Sequence, residues 1–329
     1  MTTLYLDRRD LALKLEGNAL AIYAGDARRG TVPLHLLERV VMHSAVTLHS
    51  SLLARLADAG VGILAFGGRS AAKTAIVQGK GHNDGARRVG QYRRYDDPGW
   101  CRAWARRLVR GKLVRQERLL RNAQTARADL RHPLRKARER LAAARSRLRA
   151  EPDLGVDALR GIEGAAAAAY FGAYTRLFAP ALDFTARNRR PPRDPVNAAL
   201  SLGYTLLHYD AVRACHVAGL DPIIGFYHRL DFARESLASD LIEPLRPAVD
   251  AWVWAQFRER GLRAEHFEHS NGACLLGKTG RARFYAAWER FARPRRRLLR
   301  RFAQHLAAEL ARAAPPPEPS KTHRQETGA

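Results

Sequence analysis

Two acidic stretches and one histidine in this 329-residue chain carry side chains suited to binding a hard cation. Glu163 lies in Arg160-Gly161-Ile162-Glu163-Gly164-Ala165, a carboxylate set between glycines at the entry to an alanine-rich stretch. Burying such a group is costly unless a cation pairs with it, although an acid near a helix N-terminus is also favoured by the helix dipole. His228 closes Asp221-Pro222-Ile223-Ile224-Gly225-Phe226-Tyr227-His228, where an apolar approach and a glycine suggest a loop crossing the core to deliver an imidazole. A lone histidine in such a setting is more often a hydrogen-bonded core residue than a ligand. Asp240 and Glu243, in Ser236-Leu237-Ala238-Ser239-Asp240-Leu241-Ile242-Glu243-Pro244, are spaced i, i+3. On a helix that spacing puts both carboxylates on one face, about 5–6 Å apart at Cβ. Pro244 deprives the Asp240 carbonyl of its helical partner and predicts a kink there. A solvated acidic face or simple capping is the plainer reading. Together, three carboxylates and one imidazole suit Mg²⁺ or Mn²⁺, which favour oxygen and tolerate a nitrogen. Such an ion serves phosphoryl chemistry by offsetting the charge that builds during in-line displacement. Spacing alone does not bring Glu163 to Glu243.

The charge of the chain points to the same class of substrate. Formal net charge is +25. It is concentrated in residues 86–150, where 21 Lys/Arg face 5 Asp/Glu. A segment so cationic repels itself unless an anion screens it, and arginine pairs with phosphate through a planar fork of donors. The surface expected to meet nucleic acid comprises Arg135, Lys136 and Arg138, then Arg189, Arg190 and Arg193, with Arg246 and Arg296. A solvated face in an arginine-rich protein is the bland alternative.

The elements that must position these groups fall into two kinds. Residues 1–85 read as short strands: Thr3–Leu6, a hairpin of Leu11–Leu15 and Ala19–Tyr23 around Glu16-Gly17-Asn18, then Thr31–Leu34, Arg39–Met42 and Val61–Phe66. One amphipathic helix is expected between Ser50 and Ala59. Beyond Gly85, apolar residues recur at helical spacing. Helices are predicted from Trp100 to Leu120, Leu130 to Leu148, Ile162 to Phe178, Pro195 to Ala218 with Gly219 as its stop, Ser236 to Arg260 and Gly280 to Ala313. Leu134, Leu141 and Leu148 recur every seventh residue, and the small residues Ala165–Ala169 predict close approach of another helix. The Pro-rich tail from Pro315 is expected to be disordered.

Cys101, Cys215 and Cys274 form no CxxC pair, so neither a zinc ribbon nor a disulfide framework is indicated. No apolar run approaches the ~20 residues needed to cross a bilayer, and the first residues lack the basic-then-apolar order of a signal peptide. A cytoplasmic location with no membrane contact is expected.

The chain resembles the CRISPR adaptation integrase family, the first of the numbered Cas proteins. The resemblance is distributed from about residue 3 to about 310. Thr3-Leu4-Tyr5-Leu6 is similar to the family's opening strand, and Gly161-Ile162-Glu163-Gly164-Ala165-Ala166 to its first catalytic motif. Arg190-Pro191-Pro192-Arg193-Asp194-Pro195-Val196-Asn197 with Leu202–Leu207 is similar to the approach to its central helix. Gly225-Phe226-Tyr227-His228 resembles the second motif, and Leu237 to Pro247 the third. The basic stretch from Arg121 to Arg149 is longer and richer in arginine than the family pattern, and Arg229 to Glu235 lacks its Gly-Pro character.

The resemblance implies an α+β protein: a small β-rich N-terminal domain (1–85, dimerisation), an all-α metal-dependent catalytic domain (86–313) and a tail (314–329). It implies Glu163, His228 and Glu243 as ligands of Mg²⁺ or Mn²⁺, and Asp240 as an acidic neighbour assisting catalysis. The implied partners are double-stranded DNA (pre-spacer and CRISPR repeat), a second copy of the chain, and a dimer of the second Cas adaptation protein. The implied reaction is transesterification, in which a pre-spacer 3′-hydroxyl attacks a repeat phosphodiester, with associated endonuclease activity. Two rival functions remain open at this point: a metal-dependent nuclease on branched DNA, and a non-catalytic nucleic-acid scaffold.

Overall fold

Strands β1 (Thr2–Leu6), β5 (Leu37–Met42) and β7 (Gly62–Phe66) show why two layers form on one sheet. Side chains alternate across a strand. Val40 and Ile63 face one core with Leu6, Leu13 and Leu20, whereas their neighbours Val41 and Leu64 face another with the helices. β1, β5 and β7 run parallel, and β8 (Thr74–Val77) closes the sheet antiparallel to β7. The computed structural model describes residues 2–67, 74–79, 81–188, 191–228, 230–232 and 234–313. Arg189, Arg190, the 314–329 tail and parts of the 229–235 loop lie outside the described residues.

A second sheet is built on the expected hairpin. β2 (Leu11–Glu16) and β3 (Ala19–Ala24) pair antiparallel around Gly17 at φ +57°. β4 (Ala27–Pro33) and a short β6 (Val46–Leu48) flank them. Helix α1 (Ser50–Asp58) buries Leu52 and Leu56 against this layer, as its amphipathic pattern predicts.

The remainder is mainly helical: α2 (Gly85–Tyr95), α3 (Pro98–Ala126), α4 (Arg131–Ala150), α5 (Val156–Tyr174), α6 (Pro195–Ala218), α7 (Ser236–Ile242), α8 (Arg246–Arg258) and α9 (Lys278–Ala311). Between α8 and α9 a hairpin of β9 (Phe267–Ser270) and β10 (Ala273–Leu276) interrupts the helices, turning on Asn271 and Gly272, both at positive φ. The sevenfold leucines of α4 are buried, packing against α3 and α5. Gly219 ends α6 in the left-handed region, as expected of a helix stop.

Three expectations need correction. The helix foreseen from Ser236 to Arg260 is two helices joined by a 3₁₀ turn at Glu243–Leu245, because Pro244 cannot donate to Asp240. Helix α5 begins at Val156, so Glu163 sits two turns inside it and owes nothing to an N-terminal dipole. In the alanine run only Ala166 is buried, and Gly164, Ala165 and Ala168 face outward rather than meeting a helix along the whole stretch.

Candidate active site around Glu163, His228 and Glu243

Four elements converge on one spot. Glu163 projects from α5 and Glu243 from the 3₁₀ turn. His228 ends the loop after α6, and Lys112 reaches in from α3. The side chains are 19% (Glu163), 7% (Glu243), 15% (His228) and 13% (Lys112) exposed, so they form a largely buried cluster.

The loop carrying His228 is held from several sides. Leu237 N–H donates to the Pro222 carbonyl at 2.9 Å, docking the loop on the first turn of α7. Gly225 permits this approach: a Cβ there would lie 2.6 Å from the Ser236 carbonyl carbon. From α2 the buried Gln91 amide donates to the Asp221 and Ile224 carbonyls at 2.8 and 2.7 Å, and its oxygen accepts from Asp221 N–H. Arg160, one turn before Glu163, donates to the Tyr227 carbonyl and lies over that ring.

Asp240 is fully buried. Its Oδ2 accepts from Trp104 Nε1 and from the Phe226 and Tyr227 amides, at 3.1, 2.8 and 3.0 Å. Its Oδ1 accepts from the His228 amide at 3.0 Å and faces His228 Nδ1 at 2.6 Å. A carboxylate only accepts, so Nδ1 carries the proton and Nε2 presents its lone pair. Nε2 points toward Glu243 Oε1, 3.7 Å away. Every residue of α7 is buried, which rules out a solvated acidic face.

The two remaining carboxylates share a cation. Lys112 Nζ donates to Glu163 Oε1 and, at 2.7 Å, to Glu243 Oε2. Tyr227 OH donates to the other oxygen of Glu163, and Arg246 Nε to Glu243 Oε1 at 2.7 Å. Burial alone would raise the Glu243 pKa, but Arg246 and then Lys112 outweigh it and hold the carboxyl far below its ordinary value. Burial likewise opposes the charge on Lys112, and Glu243 and Glu163 overcome it, raising its pKa. The Tyr227 hydroxyl is pushed far up by burial and then by Glu163, so it stays a donor.

Among the described residues, no three His, Cys, Asp or Glu side chains form a ready-made metal cage. The donor chemistry nonetheless fits a divalent cation: two carboxylates already share positive charge at one point, with an imidazole lone pair beside them.

The expected DNA-contact residues separate by environment. Arg135, Lys136 and Arg193 are exposed. Arg138 is half-buried, with Nη1 committed to Gln124 Oε1 at 2.7 Å. Two assignments need correction. Arg296 is 7% exposed and bound to Asp210 and Glu289, so it is a core ion-pair residue rather than a phosphate contact. Arg246 is engaged by Glu243 and lies 4.8 Å over the Tyr204 ring, which makes it part of the carboxylate cluster instead of a free surface cation. Lys112 and Gln91 were missed in the sequence. Lys112 stands in a run of cations, and the only signal for Gln91 is a polar residue in a helix otherwise short of apolar ones.

Fold and cluster define a β-rich then helical protein with a largely buried acid–imidazole site and strongly basic helices. The chain belongs to the CRISPR-associated Cas1 family, whose model matches residues 4–290. It is 38% identical to a CRISPR-associated endonuclease Cas1 of Thermodesulfovibrio yellowstonii over 94% of this chain and 97% of that one. It is 34% identical to one from Thermus thermophilus over 87% of this chain and 83% of that one. The fold is similar to that of a Cas1 protein from Thermotoga maritima, with a TM-score of 0.76, 23% identity and coverage of 94% of this chain and 97% of that one.

Proposed function

We propose that this chain is a spacer-acquisition integrase that joins a pre-spacer 3′-hydroxyl to a phosphodiester of the CRISPR repeat and shares its site with an endonuclease activity. The observation that carries this reading is the meeting of Glu163 and Glu243 on one ammonium, with His228 Nε2 3.7 Å from Glu243, in a Cas1-family chain. The endonuclease names of its relatives agree with a phosphodiester substrate. Glu163, His228 and Glu243 would hold Mg²⁺ or Mn²⁺, which when bound polarises the phosphodiester and offsets the charge developing on it.

The chain's own residues do the positioning. Asp240 fixes the imidazole tautomer and Tyr227 orients Glu163. Arg246 keeps Glu243 ionised, and the burial of the cluster limits access of bulk water. Exposed Arg135, Lys136 and Arg193 would guide duplex DNA toward the cluster. In this reading residues 1–85 form the dimerisation domain and 86–313 the catalytic one, and the partners are a second copy and a dimer of the second Cas adaptation protein. Among the described residues no helix is long and apolar enough to cross a membrane, and action on DNA in the cytoplasm is part of the proposal.

The test is an integration assay with a pre-spacer duplex and a supercoiled repeat plasmid, with and without chelator. Glu163→Gln and His228→Ala should bind DNA yet lose strand transfer. Retained transfer in either would overturn the ligand assignment. Cutting that persists with blocked 3′ ends would instead favour the branched-DNA nuclease.

A further inference from the structure

Lys112 is the one lysine of α3, a helix that carries seven arginines. Its ammonium takes one oxygen from each of the two carboxylates that matter most, while Tyr227 and Arg246 hold their other oxygens. A divalent cation shared by Glu163 and Glu243 would lie about 2.0–2.1 Å from their oxygens if it were Mg²⁺. That places it within the space the ammonium fills, and two cations do not share one such point. The lysine is also built to leave. Its charge sits at the end of a flexible four-carbon stem, its side chain is 13% exposed, and an ammonium makes no fixed planar fork to both acids.

We propose that Lys112 is a built-in counter-ion that competes with the divalent cation for Glu163 and Glu243. This inference deepens the proposed function and rests on its assignment of those two residues as ligands. The competition sets the cation affinity below what the acids alone would give. It also lets α3, α5 and the 3₁₀ turn pack before any metal arrives, because the two acids are never left facing each other without a cation. Lysine suits the role where arginine does not: a guanidinium would bridge both carboxylates and yield less readily.

The experiment is Mn²⁺ binding to the full chain, followed by loss of the free-ion electron paramagnetic resonance signal, in wild type, Lys112→Met and Lys112→Arg. The expected order of affinity is Lys112→Met tightest, wild type between, Lys112→Arg weakest, with a step of roughly tenfold if the ion pair is worth about 1.4 kcal/mol. Thermal melting supplies a second readout. Lys112→Met should melt lower than wild type in chelator and recover with Mn²⁺. A lysine that merely packs would lower melting equally with and without Mn²⁺ and leave affinity unchanged. A flat or reversed affinity order overturns the proposal. If Lys112→Met does not fold, Lys112→Arg keeps the charge and decides alone: binding equal to or tighter than wild type overturns it. Glu163→Gln is the separate control. If it binds Mn²⁺ as wild type does, the ligand assignment itself fails, whatever the lysine variants show.

Discussion

Asp240 grips His228 at two points with a single oxygen, the backbone amide at 3.0 Å and the ring Nδ1 at 2.6 Å. Its other oxygen is filled by Trp104 and two loop amides. With five donors around one carboxylate, Asp240 has no lone pair left to offer a cation. It therefore acts through His228, fixing the tautomer and the direction of Nε2, and is a positioning residue rather than a ligand.

Asp240→Asn should show this. The amide has the right shape, but its NH₂ would face donors, leaving buried N–H groups unmatched at about 1–3 kcal/mol. Where a histidine binds a metal, as proposed for His228, loss of such a support typically costs about 10–100-fold. The expected outcome is a single-turnover strand-transfer rate lowered by that factor and a reduced melting temperature, with DNA affinity unchanged. Full activity in a folded Asp240→Asn protein would contradict the positioning role.

The loop before His228 and the helix break at Glu243 were legible because their signals are local, whereas only the family resemblance joined Glu163 to them. Gly225 before His228, and Pro244 after Glu243, mark a close approach and a helix break that both occur. The leucines of α4 and the Gly219 stop were legible for the same reason. What could not be read depends on which side chains meet across the fold. Lys112 is one cation among 21 in residues 86–150, and only the approach of α3 to α5 and the 3₁₀ turn singles it out. Arg296 stands among exposed arginines in sequence, yet Asp210 and Glu289 from two helices enclose it. The β9–β10 hairpin escaped because Phe267–Ser270 is polar at alternate ends and too short to show a period of two.

The basic surface should separate binding from chemistry. Arg135 and Lys136 are exposed on α4 and belong to none of the hydrogen bonds described around Glu163, His228 and Glu243. Converting both to Gln should weaken DNA binding and flatten the slope of log affinity against log salt by up to about 2, since each phosphate contact contributes roughly 0.9. The rate of strand transfer at saturating DNA should be unchanged. Arg296→Gln should behave oppositely, lowering melting temperature because Asp210 would keep Arg39 and Glu289 the Tyr5 hydroxyl but both would lose the Arg296 guanidinium, as expected when one member of a buried ion network is removed. Filter binding across a salt series, alongside thermal melts, distinguishes the two.

Asp250 gives a pH signature. It lies on α8, fully enclosed, accepting from the hydroxyls of Tyr170 at 2.7 Å and Tyr204. Burial raises its pKa to about 6, and the two tyrosine hydrogen bonds only partly offset this. The folded chain therefore binds a proton more tightly than the unfolded one, whose carboxyl titrates near 3.8. Between those values stability falls as pH rises, and the full cost, on the order of 3 kcal/mol, is present above about pH 6. Asp250→Asn should remove that component. The difference in unfolding free energy between variant and wild type should move in favour of the variant from pH 4 to 6.5 and then level off. A difference that stays flat across the window would refute the raised pKa.

Two glycines test whether the His228 loop is placed by contact or by chain flexibility. At Gly225 an added Cβ would meet the Ser236 carbonyl carbon at 2.6 Å and the Leu237 nitrogen at 2.8 Å, so the loop or the first turn of α7 has to move. At Gly172, inside α5, an added Cβ meets nothing within 4 Å. Alanine at Gly172 should therefore stabilise by about 0.5–1 kcal/mol, the usual gain over glycine within a helix, and leave strand transfer untouched. Alanine at Gly225 should cost about 1–3 kcal/mol by overpacking. It should also weaken Mn²⁺ binding, because a shifted loop carries His228 Nε2 away from Glu243. Thermal melts and Mn²⁺ titrations of the two variants side by side provide the check. If Gly225→Ala loses stability but keeps wild-type Mn²⁺ affinity, the loop contact supports the fold without setting the position of the imidazole.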